Sequence, residues 1–115
     1  MFDHEKLVVY QRSLELLDRV DRVLDAMPTG RAHLRDQLDR AVTSIVLNIA
    51  EGGGEFSPLE KQRFYRMAKR SATETAAIRD VLRRRKSVAM ELIDAARGPL
   101  TEVAAMLTQM TRVEP

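Results

Sequence analysis

The residues best suited to chemistry surround the stretch SIVLNIAEGGGE, Ser44 to Glu55, in which an apolar run ends in an asparagine, an acid and three glycines. Glycine-rich loops can hold phosphate groups, but a dinucleotide-binding fingerprint has its glycines after a strand and before a helix. Here the glycines follow a helical pattern, and no Walker lysine and hydroxyl residue comes after them. We therefore interpret Gly52 to Gly54 as a flexible corner in which glycine caps the helix in the left-handed region. Phosphate binding by the loop amides is the alternative.

Polar residues form a stripe beside the apolar face of the same helix. At about 100° per residue, four side chains fall close together: Arg40, Ser44, Asn48 and Glu51. The next helical segment carries Ser71 within its apolar face and Glu74 on its flank. Polar networks between helices fix their register and must be nearly fully satisfied, so the pattern favours a hydrogen-bonded seam or an oligomer contact. Arg40 and Glu74 are the first ion pair expected there; ligand or nucleic-acid contact and catalysis are the alternatives.

Positive charge is concentrated in one quarter of the chain. Residues 57–86 hold 10 basic and 3 acidic residues, a net charge of +7, whereas residues 1–56 hold 7 and 10 and residues 87–115 hold 2 and 4. The third of four predicted helices, roughly residues 58–85, carries one cluster of cations on its outward arc and another at its end. These are Arg63, Arg66, Lys69 and Arg70, then Arg83, Arg84, Arg85 and Lys86.

These clusters have a simple interpretation and a functional one. The simple one is a solvated charged face, and cations stabilise a helix C-terminus in any case. The functional one is a surface for nucleic acid, which phosphate contacts would hold without base specificity and with strong salt dependence. Tyr65 is the only aromatic residue near the patch that we expect to be able to stack on a base.

Several classes of enzyme lack the residues that they need. The sequence has no cysteine, which excludes disulfides and thiolate chemistry. His4 and His33 have no metal-ligand spacing, no Glu-x-x-His pair is present for a di-iron centre, and the Arg-to-His motif of helical ribonucleases is missing. We therefore predict a protein that is not an enzyme and uses no metal or cofactor. The short apolar runs and the lack of a leader predict a cytoplasmic location and no membrane partner.

Four amphipathic helices must position these residues, over roughly 4–27, 31–52, 58–85 and 88–112. In the first, the spacing predicts a buried face made of Leu7, Tyr10, Leu14, Leu17, Val20, Leu24 and Met27. Ser57-Pro58-Leu59-Glu60 is a start signal for the third, and Ser87 is a candidate cap for the fourth. Gly98-Pro99 bends or splits helix four, and we favour the bend. The pattern predicts one all-α domain, 1–115, folded as an antiparallel up-down four-helix bundle.

The segment QLDRAVTSIVLNIAEGGG resembles the central signature of the four-helix-bundle family of proteins encoded in intervening sequences of bacterial 23S rRNA genes. That family is similar to the accessory variability determinant of diversity-generating retroelements. Its pattern, roughly Q-L-x-R-A-x-x-S-I-x-x-N-I-A-E-G, is matched at Gln37, Leu38, Arg40, Ala41, Ser44, Ile45, Asn48, Ile49, Ala50, Glu51 and Gly52. A second block, roughly F-x-x-I-A-x-G-S-x-x-E, corresponds to Phe64, Met67, Ala68, Ser71 and Glu74, with Arg70 where glycine is usual.

The resemblance implies a bundle that assembles as a ring-like homopentamer, and it brings no enzymatic activity with it. Relatives in retroelements bind nucleic acid and a reverse transcriptase, whereas most members have no settled role. Apolar residues outside the main stripes, Val8, Val46 and Leu47, independently suggest a further buried face and hence a homo-oligomer. We therefore predict a non-catalytic oligomeric protein that binds RNA or DNA through helix three. The alternative is a protein-interaction scaffold or adaptor, for a reverse transcriptase or another acidic partner, without direct nucleic-acid binding.

Overall fold

Four α-helices account for most of the chain. The computed structural model describes residues 1–112, in which α1 spans Val8–Ala26, α2 Ala32–Gly53, α3 Pro58–Arg85 and α4 Met90–Met110. Short 3-10 turns over Asp3–Lys6 and Thr29–Arg31 precede α1 and α2, and no strand occurs among these residues. Residues 113–115, which belong to the predicted single domain, lie outside the described residues.

The helices pack in chain order. Each helix contacts its neighbour in sequence, and α1 also contacts α4, which closes the arrangement. Within residues 1–112, the diagonal pairs α1 with α3 and α2 with α4 bring no Cα atoms within 8 Å of each other. Short connections reverse the chain between successive helices, as in an up-down bundle. The predicted all-α four-helix bundle is thus confirmed, and α3 occupies the corner diagonal to α1.

The buried face of α1 differs from the predicted one. Its fully buried side chains are Val9, Ser13, Leu16, Val20, Val23 and Leu24, whereas Leu7, Leu14 and Leu17 are only half-buried. Val20, Leu24 and Met27 are buried as predicted, and Leu7, Tyr10 and Leu17 pack against the edge of the core. In the N-terminal half of the helix the centre of the buried face is therefore rotated by about 100° from the predicted stripe, and the predicted centre is wrong there. The reason is that α1 packs against both α2 and α4. Its most buried side chains face the space between these two helices, and the leucines line one margin.

Capping groups define both ends of α3. Ser57 accepts a hydrogen bond from the Glu60 N–H at 3.4 Å, and Pro58 stands at the first helical position, as the start signal predicts. At the other end, Lys86 lies in the left-handed region with φ 54° and ψ 37°. Its N–H and that of Ser87 donate to carbonyl oxygens of the last turn, as in a Schellman motif. Ser87 therefore helps to end α3 and does not cap α4.

Close packing, and not backbone freedom, explains the glycines between α2 and α3. α2 continues through Gly53, and Gly54 caps it with φ −91° and ψ −5°; within the described residues no glycine has a positive φ. The prediction of a left-handed glycine cap is therefore wrong. A Cβ on Gly52 would lie 2.6 Å from Tyr65 Cε1. A Cβ on Gly53 would lie 2.9 Å from His4 Cβ. Both positions need glycine because another element approaches their backbone closely.

Pro99 lies inside α4 without splitting it. The helix is continuous from Met90 to Met110, which excludes the alternative in which Gly98-Pro99 divides it. Because proline has no N–H, the carbonyl oxygen four residues earlier, that of Ala95, loses its helical donor. Arg19 of α1 replaces that donor, since its Nη1 donates to the Ala95 oxygen at 2.9 Å. A side chain of one helix thus completes the hydrogen bonding of another.

Candidate nucleic-acid interface

The first basic cluster lies on the exposed side of α3. The opposite side of the helix is buried and contains Ala68, Ala72 and Thr75. Arg66 and Arg70 therefore point to solvent. Two shallow depressions adjoin here and share both arginines. One is lined by Arg63, Arg66, Met67 and Arg70, and the other by Arg66, Lys69, Arg70, Thr73 and Thr111. The structure therefore brings all four predicted cations to one continuous surface, which reaches the end of α4.

Arg63 is engaged by its own helix. Its Nε lies 3.0 Å from Glu60 Oε2 in an exposed ion pair one turn away. Its guanidinium also lies 4.9 Å from the centre of the Phe64 ring, a distance typical of a cation–π contact. These two contacts orient the side chain and compensate part of its charge.

Arg66, Lys69 and Arg70 carry the least compensated charge of this cluster. Arg66 Nη2 donates to the neutral amide oxygen of Gln62 at 2.9 Å, which orients it without neutralising it. Throughout residues 1–112, no carboxylate lies within 4.0 Å of a side-chain nitrogen of these three residues. An external anion is the partner that this group of charges fits.

The second basic cluster ends α3 and is partly used within the chain. Arg83 Nη1 lies 3.4 Å from Asp94 Oδ1 of α4, so a neighbouring helix compensates its charge. The remaining three cations are exposed: Arg84, Arg85 and Lys86. Arg84 follows Arg66 by five full helical turns, so the two lie on the same side of α3 about 27 Å apart. The two clusters therefore share one face but lie at opposite ends of it.

Of the two aromatic residues Tyr65 and Phe56 near this face, the exposed one is Phe56 and not the predicted Tyr65. Tyr65 is only 4% exposed, and burial raises the pKa of its phenol. It cannot stack on a base, so the prediction that it is the available aromatic residue is wrong. Phe56, in the corner before α3, is instead 97% exposed. Its place in a short polar and glycine-rich connection was the one sequence signal that pointed to exposure.

Three of the residues expected at the polar seam meet between α2 and α3. Ser71 Oγ donates to Ser44 Oγ at 2.9 Å. Asn48 Nδ2 donates to the same oxygen at 3.0 Å and to the Ser44 carbonyl oxygen at 2.9 Å. Thr75 extends the network by donating to the Ser71 carbonyl oxygen at 2.8 Å. These uncharged groups satisfy one another, which suits a contact that fixes helix register.

The three charged residues expected at the seam lie outside it. Arg40, Glu51 and Glu74 are exposed, and no ion pair joins Arg40 to Glu74 in the part of the chain that the structure describes. The expected pair is therefore wrong. Hydroxyl and amide groups already satisfy the contact, and charged side chains keep their hydration when they stay at the surface.

Four aspartates lie close together on α1 and α2. Asp18, Asp21 and Asp25 lie on α1, and Asp39 lies on the adjacent α2. Burial raises the pKa of Asp21, and the negative charges of Asp25, Asp39 and Asp18 raise it further. These carboxylates are therefore close enough to repel one another. Three of these four carboxylates lie on α1, a helix that does not contact α3.

The described residues form neither a metal site nor a membrane span. Within 1–112, no three side chains of His, Cys, Asp or Glu are grouped so that they could hold a metal ion. None of the described helices combines the length and the apolar character that crossing a bilayer requires. The exposed face of α3 is the candidate site that the described residues offer.

Comparison with known proteins covers nearly the whole chain. A family profile described as 23S rRNA-intervening sequence protein matches residues 5–109. The fold is similar to the crystal structure of a protein with unknown function from the S23 ribosomal protein family of Bacteroides thetaiotaomicron VPI-5482. The TM-score is 0.83 at 23% sequence identity, over 92% of this chain and 100% of that one. At this identity the likeness shows the shared fold. A search of curated proteins found no significant match.

Proposed function

We propose, from the premise that this chain belongs to the family of 23S rRNA-intervening sequence proteins, that it is a non-catalytic bundle protein that binds RNA or DNA through α3. The observation that carries the proposal is the group formed by Arg66, Lys69 and Arg70, which the described part of the chain leaves without an acidic partner. The same side chains border two adjoining depressions, so a ligand can approach them from solvent.

Phosphate groups are the part of a nucleic acid that this surface fits. Arg66 and Arg70 offer forked guanidinium donors, and Lys69 offers a compact ammonium group. Binding of this kind releases counterions, so log K falls against log salt with a slope of about −0.7 for each phosphate on a single strand and about −0.9 on a duplex. Phosphate contacts carry no sequence information, which supports binding that tolerates many sequences.

The test is a triple charge reversal in the first cluster. We expect Arg66→Glu, Lys69→Glu and Arg70→Glu together to abolish binding of a labelled random-sequence RNA at low salt, because three phosphate contacts become repulsive. Fluorescence anisotropy, repeated over a range of salt concentrations, measures the affinity and its salt slope. Arg66→Ala alone should make the slope shallower by about 0.7 to 0.9, the contribution of one phosphate.

A matched variant controls for net charge. Arg22, Arg31 and Arg35 are exposed on or next to α1 and α2, and their reversal to Glu changes the total charge by the same amount. This control should keep most of the affinity, since it leaves the α3 face intact. Equal loss in both variants would show an effect of total charge, and unchanged binding in the first would remove α3 from the proposal. Thermal unfolding followed by circular dichroism checks that both variants remain folded.

A protein contact is a second candidate function, and a different surface favours it. Val8 of α1 is 63% exposed and Leu47 of α2 is 58% exposed, although Val46, also expected at a further face, is buried within the chain. α1 and α2 pack side by side, so the two exposed residues occur on neighbouring helices. We propose that a homo-oligomer, a pentamer by the resemblance, or a scaffold contact with another protein covers this side.

A further inference from the structure

We infer that the nucleic acid bound by α3 is single-stranded and that Phe56 stacks on one of its bases. This inference rests on the proposed function, because the cations of α3 must hold the strand that Phe56 contacts. Phe56 is 97% exposed, and Leu59, the next large apolar residue, is 83% exposed. Removing such a side chain from water is favourable, so each offers an apolar contact that the isolated chain leaves unused.

The corner that carries Phe56 is held in place by hydrogen bonds. Lys61 Nζ of α3 donates to the Gly52 carbonyl oxygen at 2.9 Å, which ties the start of α3 to the end of α2. The Glu55 N–H donates to the same carbonyl oxygen at 3.3 Å. Immediately after Phe56, Ser57 caps the first turn of α3. The backbone on both sides of the ring is therefore fixed, so little order has to be gained when a base stacks on it.

The ring stands at one end of the cationic face. Leu59, Arg63, Arg66 and Arg70 recur at helical spacing and lie on one side of α3, which begins two residues after Phe56. Arg66 lies eight residues beyond Pro58, about 12 Å along the helix, and the two residues from Phe56 to Pro58 add at most about 7 Å. A strand with one base on Phe56 can therefore place its following phosphates against Arg66 and Arg70.

Stacking on a side chain favours a single strand over a duplex. Inside a duplex each base is already covered on both faces by its neighbours, whereas bases of single strands can unstack and lie against an aromatic ring. Every base has such a face, so the contact adds affinity without choosing a sequence. An exposed aromatic ring next to a row of cations is the combination that single-strand binding surfaces use. Charge complementarity thus selects a polyanion as the occupant of this apolar corner.

The experiment uses the absence of tryptophan from the sequence. In Phe56→Trp the indole is the one tryptophan of the protein, so its fluorescence reports on this corner alone. We expect oligo(dT) of about 12 nucleotides, a length within the known range of single-strand site sizes, to quench that emission. A blunt-ended duplex of equal length should quench it far less.

A companion variant measures what the ring contributes. Phe56→Ala should weaken binding of the labelled oligonucleotide by about tenfold while the duplex affinity and the salt slope stay unchanged, because the phosphate contacts remain. Phe2→Ala removes another exposed ring, which is stacked on His4, and should leave both affinities as they are.

The outcomes separate this inference from the proposed function. If the triple reversal at Arg66, Lys69 and Arg70 abolishes binding while Phe56→Ala changes nothing, the stacking contact is overturned and the α3 surface stands. If the unaltered protein binds neither probe, the proposed function fails and takes the inference with it. A blue-shifted Phe56→Trp emission that grows with protein concentration, without any oligonucleotide, would show that a second copy covers the corner and would overturn the stacking contact as well.

Discussion

Single side chains, present or absent, decide where the helices of this bundle meet. Gly52 is buried at the end of α2 because the ring of Tyr65 occupies the space that a Cβ would take. The same contact holds Tyr65 in the core, away from the surface where a base could reach it. The absence of a Cβ at Gly52 thus lets α3 approach α2 closely and leaves room for the Tyr65 ring to point into the core.

Gly52→Ala tests this contact. We expect the substitution to lower the free energy of unfolding by about 1–3 kcal/mol, because the added methyl group overlaps the Tyr65 ring and forces the helices apart. Chemical denaturation with urea measures the change. Gly30→Ala is the matched control, since no heavy atom lies within 4 Å of a Cβ built there, and it should stay within about 0.5 kcal/mol of the unaltered protein. Equal effects of the two changes would contradict the packing explanation.

The sequence predicts the side-chain positions of the cationic face more directly than those of the polar seam. Helical periodicity alone places Arg66 and Arg70 on an outward face, because neither has to meet a particular partner. The hydrogen bond between Ser44 and Ser71 depends on two helices coming together, yet polar residues within an apolar stripe already indicate such a meeting. The short, glycine-rich connection around Phe56 indicates exposure, but the direction of its ring depends on how α2 and α3 pack and cannot be predicted from the sequence.

At the scale of the helices, local chemistry and tertiary packing decide different things. Ser57 and Pro58 define the start of α3 from their own backbone chemistry, so the sequence predicts that start well. Which side of α1 is buried depends instead on the two helices beside it. A helical wheel of α1 alone shows two adjoining apolar stripes and cannot tell which one is buried. The stripe that contains Leu14 lies at the margin of the buried face and not at its centre. The left-handed end of α3 falls on a lysine, which composition does not signal.

The hydrogen bond from Arg19 to the Ala95 carbonyl oxygen makes α1 and the proline of α4 interdependent. Arg19→Met keeps the aliphatic stem but leaves that oxygen without its donor, and we expect a loss of about 1–3 kcal/mol in the free energy of unfolding. In a Pro99→Ala background the new N–H at position 99 can pair with the oxygen, so Arg19→Met should cost clearly less. Denaturation of the four proteins of this double-mutant cycle measures the difference.

The ion pair of Arg19 needs its own control. Arg19 Nη2 also lies 3.4 Å from Glu15 Oε1, a contact that Arg19→Met removes in both backgrounds. Glu15→Gln removes that pair, together with the one that Arg12 Nη1 makes to Glu15 Oε2 at 2.9 Å, while leaving Arg19 in place. Each exposed pair of this kind contributes at most about 1 kcal/mol. Strict additivity of Arg19→Met and Pro99→Ala would show that the arginine does not substitute for the missing proline donor.

At the scale of the whole molecule, the exposed apolar residue Leu47 of α2 is expected to contribute to assembly. Leu47→Lys places a charge on the exposed apolar side of α2, and we expect it to dissociate an oligomer whose contact includes that side. Light scattering should then give the mass of one chain, 13.1 kDa, where the unaltered protein gives a multiple of it, fivefold for the proposed pentamer. Thr108→Lys adds the same charge at an exposed polar position of α4, a helix that does not contact α2, and should change the mass less. A monomer mass for the unaltered protein would contradict the proposal.

The diagonal placement of α1 and α3 has a consequence for how this molecule meets a polyanion. α1 holds four acidic and three basic residues, a net charge of −1, whereas α3 holds nine basic and three acidic residues, a net charge of +6, so the charge of the bundle is concentrated on one of these two diagonal helices. If the proposed binding holds, the field of a phosphate backbone would turn α3 toward the strand before contact, which would accelerate productive encounters at low ionic strength. A long strand would therefore run along a single side of each bundle and would not encircle it.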